Sequence, residues 1–453
     1  MSKVLAQYDK AQQSLAGGVS SSTRLNKAVG HPLYFDRAKG CRVWDLDGKE
    51  YIDLCCSHGA TLLGHGDERV AAAVRRAMER GAPCSYENET HAELAELLCQ
   101  TVPCLERVRF TGSGTEATMH CIRLARAITG KTKLLRFEGN FHGYHDQVMF
   151  ASPVGQVSNR SNKDVGQVSN LSKNDSGQVE NLSYELVPIS TGVLPQLGEQ
   201  LIQIPYNRPD ILEEIIPRHA HELAAAICEP VWYNAGCILP TKEFMATLRR
   251  LTQQHGIVLI FDEVLSAFRM CPGGAQEYLG VTPDLCTLGK AVGGGYPLSV
   301  FGGRRELMER LMPQGECQHS GTYNGHPSIV AAGLAAVQAY RSSGFYDHIR
   351  AVGQRLFFGL QEIFTRRGIP ARVQGLGARF GIYFGLTEEV TSYDQVQHHS
   401  REQMLKFIAA AINHGVYFHD YGGAACHHGF CRAMTLGDVE EALQRLEAAV
   451  AAM

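Results

Sequence analysis

The stretch L-G-K-A-V-G-G-G-Y places Lys290 directly after a short apolar run. Three consecutive glycines leave space for a bulky ligand against the backbone. A lysine amine in a partly desolvated pocket near other cations has a lowered pKa, which a lysine that forms a Schiff base requires. A lone lysine is more often a solvated surface charge, so the hypothesis depends on what else lies near Lys290.

Asp262 follows residues 257–261, the most apolar run in the chain. A carboxylate that emerges from such a strand is costly unless a cation meets it. The protonated ring nitrogen of pyridoxal 5′-phosphate (PLP) would do so, and the pairing would keep the ring an effective electron sink. For an isolated aspartate, a helix N-cap or a salt bridge to an arginine is the alternative.

The stretch F-T-G-S-G-T-E-A-T, residues 110–118, lies between a strand pattern and a helical pattern over residues 116–129. Small residues there let backbone N–H groups approach an anion, and the helix N-terminus adds a favourable dipole. The stretch lacks the G-K-[ST] ending of a nucleotide P-loop and the G-x-G-x-x-G spacing of a dinucleotide fold. It predicts a phosphate cup, which alone is a weak signal but gains weight from Asp262 and Lys290 further along.

Short apolar runs alternate with helical patterns and predict a mostly parallel α/β sheet. Sheets of this kind bind ligands at the carboxyl ends of their strands, where Asp262 and Lys290 lie. The runs span residues 107–110, 134–137, 223–228, 257–261, 285–288 and 298–301.

The last hundred residues predict a smaller α+β unit. Its expected elements are a strand over 380–384, a helix over 399–413, a strand over 416–418, and a closing helix that begins at the capping box of Thr435 and Asp438. We predict a large domain over residues 60–333 and a small domain over 334–453, which residues 1–59 join.

Residues 153–195 interrupt this pattern, and an eleven-residue unit occurs three times over 154–186, beginning V-G-Q-V-S-N in the first two copies and S-G-Q-V-E-N in the third. Three polar units are too few to stack a continuous apolar face. We predict a long, mobile surface insertion, with a lid over the active site as the alternative.

The bulk composition indicates a soluble enzyme with small-molecule partners. The chain has 453 residues, a net charge of -3, 44% hydrophobic residues and fourteen scattered cysteines. Neither nucleic acid nor an anionic membrane is expected as a partner. Since no signal peptide or apolar run of bilayer length is visible, we expect a cytoplasmic protein with reduced thiols.

Six motifs in this order and spacing resemble the class III aminotransferases, which are fold type I PLP enzymes, and most of all their glutamate-1-semialdehyde aminomutase branch. The motifs are F-T-G-S-G-T-E-A-T, F-E-G-N-F-H-G, E-P-V, F-D-E-V, L-G-K-A-V-G-G-G and H-S-G-T-Y-N-G-H-P. The resemblance runs from about Gly17 to the C-terminus, apart from the insertion. It implies a large, mostly parallel sheet domain of the seven-stranded type and a smaller α+β domain.

The resemblance also implies the roles of individual residues at the cofactor. Lys290 would be the catalytic residue and carry PLP as a Schiff base. The cofactor-binding set would be Ser113, Gly114 and Thr115 at the phosphate, Phe141 and Val264 on the two ring faces, Asp262 at the ring nitrogen, His142 and Asn234 nearby, and Thr322 at the phosphate of a neighbouring subunit. The last of these implies a homodimer with shared active sites.

On the substrate side, the resemblance assigns Ser21 and Arg24 to a carboxylate, a task suited to the fork of an arginine. His58 stands where the aminomutases have the tryptophan of S-W-G. Their substrate-side glutamate before G-F is replaced within C-H-H-G-F, residues 426–430. The S-H-G-A stretch is closer to aromatic D-amino-acid aminotransferases, and H-S-G-T-Y-N to β-amino-acid aminotransferases.

We therefore predict a ping-pong aminotransferase that moves an amino group between a carboxylate-bearing amino acid and an oxo acid or aldehyde. The aminomutase is the first alternative. A PLP racemase or decarboxylase and a non-catalytic PLP-binding module are more distant alternatives. No metal is expected, because Cys426, His427, His428 and Cys431 lack a second ligand pair.

Overall fold

The computed structural model describes residues 2–152 and 186–453. Its helices are α1 (Lys3–Ala11), α2 (Glu68–Glu79), α3 (Glu89–Thr101), α4 (Gly114–Thr129), α5 (Pro209–His219), α6 (Lys242–Gln254), α7 (Gly274–Leu279), α8 (Arg305–Met308), α9 (Pro327–Tyr340), α10 (Phe345–Arg366), α11 (Tyr393–Gln397), α12 (Arg401–Asn413) and α13 (Leu436–Ala451).

The strands fall into one large sheet and several small ones. They are β1 (Phe35–Lys39), β2 (Arg42–Asp45), β3 (Glu50–Asp53), β4 (Arg107–Thr111), β5 (Lys133–Phe137), β6 (Phe150–Ala151), β7 (Val187–Pro188), β8 (Leu201–Ile204), β9 (Leu223–Cys228), β10 (Val258–Glu263), β11 (Leu285–Leu288), β12 (Ser299–Gly303), β13 (Ala371–Leu376), β14 (Arg379–Phe384), β15 (Val416–Tyr417) and β16 (His428–Gly429).

The large sheet has seven strands in the order β4-β12-β11-β10-β9-β5-β8. Strands β8, β5, β9, β10 and β11 are mutually parallel, and β12 runs antiparallel to both of its neighbours. The predicted mostly parallel α/β sheet is thus confirmed. The resemblance also implied its seven strands correctly.

Strand β10 shows why this sheet forms where the sequence is most apolar. Val258 and Ile260 pack into the core on one face of the sheet, where α4 contributes Cys121 and Leu124. The alternate residues Leu259 and Phe261 pack into the larger core on the other face. A strand covered on both faces needs apolar residues at nearly every position, and its first polar side chains come where it ends.

The predicted C-terminal elements are also present, with one shifted boundary. Helix α12 begins at Arg401, two residues later than predicted, because the hydroxyl of Ser400 caps it by accepting from the backbone N–H of Gln403. The closing helix α13 begins where predicted, after the capping box of Thr435 and Asp438.

Residues from the two ends of the chain share a small sheet of order β1-β2-β3-β15, in which β15 pairs in parallel with β3. This pairing accords with the predicted joining of residues 1–59 to the C-terminal part. The domain boundaries at 59 and 333 stay predictions. Strands β13, β14 and β16 form a separate antiparallel sheet.

The repeat segment, residues 154–186, lies outside the described residues except for its last residue. The predictions of a mobile insertion and of a lid concern this segment, so they also lie outside the described residues. Downstream of it, β7 pairs with β6 and the turn Pro195–Gln200 leads into β8. Within residues 2–152 and 186–453, no helix has the length and apolarity that crossing a bilayer needs.

Candidate active site

A cavity of about 170 Å³ lies at the carboxyl ends of the parallel strands. It brings together side chains from five separate connections of the large sheet. Its lining residues are Gly114, Thr115, Thr118, Phe141, His142, Gly143, Tyr144, Glu229, Asn234, Asp262, Val264, Leu265 and Lys290. The three stretches that the sequence singled out therefore meet in one place.

Lys290 opens a 3-10 turn after β11, and its backbone φ of 47° lies in the left-handed region. A left-handed backbone at a lysine costs of the order of 1 kcal/mol. It also gives the side chain a different direction from the one that an extended or right-handed backbone would give. The amine forms no hydrogen bond or ion pair with any described residue. Removal from water lowers the pKa of Lys290 to about 8, although Asp262 opposes this shift, and Arg269 adds to it.

This pKa predicts the pH dependence of covalent PLP attachment to the apoprotein. Only the neutral amine attacks the aldehyde, so the attachment rate should rise with pH to a midpoint near 8. At pH 8 the neutral fraction would be on the order of 100 times that of a lysine with its ordinary pKa of about 10.4. The check is the initial rate of absorbance change between pH 6.5 and 10.5, with Nα-acetyl-lysine in parallel; a midpoint above 10 would contradict the prediction.

Asp262 is almost fully buried at the end of β10 and is held by three donors. Its Oδ2 accepts from His142 Nδ1 at 2.8 Å, and its Oδ1 accepts from Thr287 Oγ1 and from the Val264 backbone N–H, both at 3.1 Å. Burial lowers the pKa of His142, so its imidazole is a neutral donor. The carboxylate is therefore fixed in place, and no described lysine or arginine forms an ion pair with it.

Glu229 is a site residue to which the sequence assigned no role. It directly follows β9, while Asp262 stands at the end of β10, and an acid at the end of an entirely buried strand was the signal that could have found it. Its Oε1 accepts from the Phe141 backbone N–H at 2.8 Å, and its Oε2 accepts from Asn234 Nδ2 at 2.9 Å. Burial, with Asp262 nearby, raises the pKa of Glu229 to about 8. This carboxyl group thus fixes two of the predicted cofactor residues relative to each other.

The N-terminus of α4 forms the other end of the cavity. Ser113 caps the helix by accepting from the Glu116 backbone N–H, while the N–H groups of Gly114 and Thr115 donate to no described residue. A Cβ on Gly114 would lie 3.0 Å from both methyl groups of Val264, so glycine permits this close approach. Free N–H groups at the positive end of a helix suit a phosphate.

These features fit PLP. The N–H groups at the start of α4 would hold its phosphate, and Asp262 would pair with its ring nitrogen. Phe141 and Val264, which both line the cavity, would lie against the ring, and the unpartnered Lys290 amine would bond to the aldehyde carbon. The residues in the cavity are thus able to hold PLP, and the role given to each of them is a prediction.

Arg136 on β5 supports the loop that carries Phe141 and His142. Its guanidinium is buried and donates to the backbone oxygens of Val148 at 2.5 Å, Phe150 at 3.2 Å and Asn140 at 2.7 Å. Burial lowers the pKa of Arg136 to about 10. One side chain therefore holds the start and the end of the segment between β5 and β6 together by hydrogen bonds.

We predict that Arg136→Met destabilises the protein by about 3 kcal/mol, because three carbonyl groups lose a charged donor in a buried place. It should also weaken PLP binding, since the loop that carries Phe141 loses its support. Urea unfolding of apoprotein and a PLP titration would measure the two effects. A change below 1 kcal/mol with unaltered PLP affinity would show that the loop holds its shape without Arg136.

Five predicted site residues, His58 among them, do not line the cavity. Ser21, Arg24, Ser113 and Thr322 are all exposed. Ser113 nonetheless sits at the N-cap of α4, beside the lining residues Gly114 and Thr115. The predicted role of Thr322 requires a neighbouring subunit and stays a prediction.

His58 lies outside the cavity lining but close to it. Its Nδ1 is 2.6 Å from the Tyr421 hydroxyl, and its ring meets that of His419 edge-on at 4.4 Å. Burial, together with the charges of groups that include Lys290, lowers the pKa of His58 to about 3. His419 Nε2 lies 2.6 Å from the Thr23 carbonyl oxygen, so the N-terminal loop that carries Arg24 approaches the site from the His58 side.

The cysteine and histidine cluster near the C-terminus does not assemble into a metal site. Among the residues that the structure describes, no three His, Cys, Asp or Glu side chains are placed to share an ion. His427 instead contacts Arg379, and His428 is buried between Phe380 and Phe418.

Comparisons with known proteins agree with this geometry. Residues 25–450 match the family described as Aminotransferase class-III. The chain is 36% identical over 418 residues to a glutamate-1-semialdehyde 2,1-aminomutase of Persephonella marina, covering 92% of this chain and 91% of that protein. Among solved structures it is similar to an omega-transaminase from Sphaerobacter thermophilus, with 31% identity, a TM-score of 0.87, and coverage of 99% and 97% of the two chains. A transaminase with PLP bound is 25% identical, with a TM-score of 0.83 and coverage of 99% and 97%.

Proposed function

The chain belongs to the class III aminotransferase family, whose cofactor is pyridoxal 5′-phosphate, and we propose that it moves an amino group between two separate small molecules. The donor would be a carboxylate-bearing amino acid, and the acceptor an oxo acid or aldehyde. The enzyme would work as a cytoplasmic homodimer. The observation that carries this proposal is the single cavity in which the free amine of Lys290 and the buried carboxylate of Asp262 meet the N-terminus of α4.

Bound PLP supplies an electron sink that stabilises negative charge at the amine-bearing carbon of the substrate. The residues of the chain do the rest. Lys290, with a pKa of about 8, is neutral often enough near pH 7 to take a proton from that carbon and to return it at a neighbouring one. Asp262, fixed by His142 and Thr287, stabilises positive charge at the far end of the site. Phe141, positioned by Glu229, helps to exclude water.

The aminomutase is the second candidate, and the relatives at 36–38% identity favour it because they carry that name. Intermolecular transfer is favoured by two side chains near Lys290, one from the N-terminal and one from the C-terminal part of the chain. His58 and His427 stand in the stretches where the aminomutase branch has a tryptophan and a glutamate. Enzymes that share a cofactor and a reaction but differ in substrate are expected to keep the residues at the cofactor and to differ in the residues that face the substrate.

The test is a half-reaction. Purified holoenzyme is mixed with a panel of amino acids and amines without acceptor, and pyridoxamine 5′-phosphate is quantified by mass spectrometry. Formation of about one equivalent per site, reversed by an oxo acid, would support transfer between molecules. Glutamate 1-semialdehyde is assayed in parallel for movement of its amino group from carbon 2 to carbon 1. Rapid isomerisation, with no donor in the panel leaving its amino group on the cofactor, would favour the second candidate.

A further inference from the structure

A group of four ring side chains lies near Lys290, outside the cavity lining already described. It consists of His58, His419, Tyr421 and His427, which we call the histidine wall. The Tyr421 hydroxyl is 2.6 Å from His58 Nδ1, and the Tyr421 ring lies 4.5 Å from that of His427. The turn Ser57–Gly59, which carries His58, packs against the turn that begins at Lys290. Burial first, and then neighbouring charges that include Lys290, lower the pKa of both His58 and His427.

Arg379 backs this wall from the start of β14. Its guanidinium has no solvent exposure, donates to the Cys55 carbonyl at 3.2 Å, and places Nη2 3.0 Å from His427 Nδ1. It passes between two glycines, since a Cβ on Gly59 would lie 2.9 Å from Nη2 and one on Gly429 2.2 Å from Nη1. No carboxylate of the described part of the chain forms an ion pair with it.

The contact between Arg379 and His427 determines where the imidazole carries its proton. A guanidinium has donors and no acceptor, so His427 Nδ1 must accept. Burial first, and then the charge of Arg379, holds the pKa of His427 well below its usual value, so the ring is neutral. A neutral imidazole that accepts at Nδ1 carries its proton on Nε2. His427 therefore has a fixed N–H donor at Nε2, which no described residue accepts from.

The charges around this donor are positive. The Arg269 guanidinium is also buried, and its Nη2 would lie 2.9 Å from the same Gly59 Cβ as that of Arg379. Arg269 donates to the carbonyls of Leu265 and Gly59 and has no carboxylate partner among the described residues. Two unpaired buried cations beside a fixed N–H donor make a site that attracts an anion.

We propose that His427 selects substrates by their carboxylate, with Nε2–H donating to a carboxylate oxygen and Arg379 acting as the positioning residue that fixes the tautomer. This inference rests on the proposed function and names its substrate class. The substrates would be amino acids and oxo acids with a carboxylate close to the reacting carbon, in preference to simple amines and aldehydes.

The first test compares His427→Glu with His427→Gln. The measured quantity is the ratio of kcat/KM for an amino acid donor to kcat/KM for the amine that lacks only its carboxylate. The introduced carboxylate would pair with Arg379 and repel that of the substrate, so H427E should lower the ratio roughly 100-fold. H427Q keeps an N–H donor and should lower it by about 10-fold or less.

A matched control is His221→Glu, which makes the same change in an exposed turn at the opposite end of β9. The ratio should not change in H221E. Binding of propionate to the holoenzyme, measured by calorimetry, gives a readout without turnover and should weaken at least 10-fold in H427E. An unchanged ratio and unchanged propionate affinity in H427E would overturn the proposal, as would a loss of selectivity in R24A with none in H427E.

The positioning role of Arg379 is tested by R379Q and R379K. R379Q should raise KM for the amino acid by roughly 10-fold with little change in kcat, because the amide lacks the positive charge and has a shorter reach. R379K should recover part of the loss because an ammonium restores the charge and also donates to Nδ1. Equal effects of the two variants on kcat and KM would indicate a merely structural residue. If R379Q does not fold, H427E still tests the proposal, because it leaves Arg379 in place. Wild-type protein that accepts an amino group from no donor would refute the proposed function rather than this inference.

Discussion

Replacement of Lys290 by alanine should lower kcat for amino transfer by about three to four orders of magnitude. The side chain is the only described amine in the cavity, and it serves both as the covalent attachment point and as the general base. Loss of a positioned general base alone costs about 10²- to 10⁴-fold. The fold should remain intact, since the amine forms no hydrogen bond or ion pair with a described residue. Single-turnover kinetics and the unfolding temperature of the variant would measure the two effects.

Borohydride reduction gives an independent readout of the same variant. In the wild type it should fix PLP to the peptide that contains Lys290, and in K290A it should fix PLP to no peptide. Lys131→Ala is the matched control, since that amine donates to the Ala220 carbonyl at the amino end of the sheet and should be dispensable. More than a tenth of the wild-type kcat in K290A, or stable attachment at another lysine, would contradict the assignment.

Asp262→Asn should lower kcat by about 10²- to 10³-fold, the range found when a preorganised charge-stabilising group is removed from an active site. The asparagine carbonyl can still accept from Thr287 and from the Val264 backbone N–H, so the geometry is largely kept while the negative charge is lost. His142 must then accept at Nδ1 instead of donating. The measurement is kcat in a steady-state assay at saturating PLP, together with the dissociation constant of PLP.

Asp284→Asn is the control for D262N. Asp284 is also a buried carboxylate of the large sheet, but it pairs with Arg249 and with the Leu259 backbone N–H at the opposite, amino end of the strands. D284N should therefore lower stability and leave kcat within about threefold. A D262N enzyme as fast as D284N would mean that the acid at position 262 has no part in the chemistry.

The large sheet and the meeting of Asp262 with Lys290 were predictable because both follow from local pattern. Continuous apolar runs identify strands buried on both faces, and parallel strands place their carboxyl ends at one edge. Strand β8 was missed because Leu201–Ile204 is short, contains Gln203 and follows the polar insertion. Neither its length nor its composition distinguishes it from a loop.

The contacts between side chains that position the site residues were harder to predict from the sequence. Glu229 lay within a recognised motif, yet its bond to the Phe141 backbone joins the loop after β9 to the separate loop after β5. The Arg379–His427 contact depends on the pairing of β14 with β16, two strands whose register no local pattern specifies. Side chains that act through other side chains become visible only when such distant pairings are known.

One small molecule should span Lys290, Asp262 and the N-terminus of α4, and a crystal structure of the PLP-loaded enzyme tests this central claim directly. We expect continuous density from Lys290 Nζ to the cofactor, its ring nitrogen within hydrogen-bond distance of Asp262, and its phosphate against the N–H groups of Gly114 and Thr115. Density for PLP elsewhere in the protein, with Lys290 free and Asp262 unpaired, would contradict it.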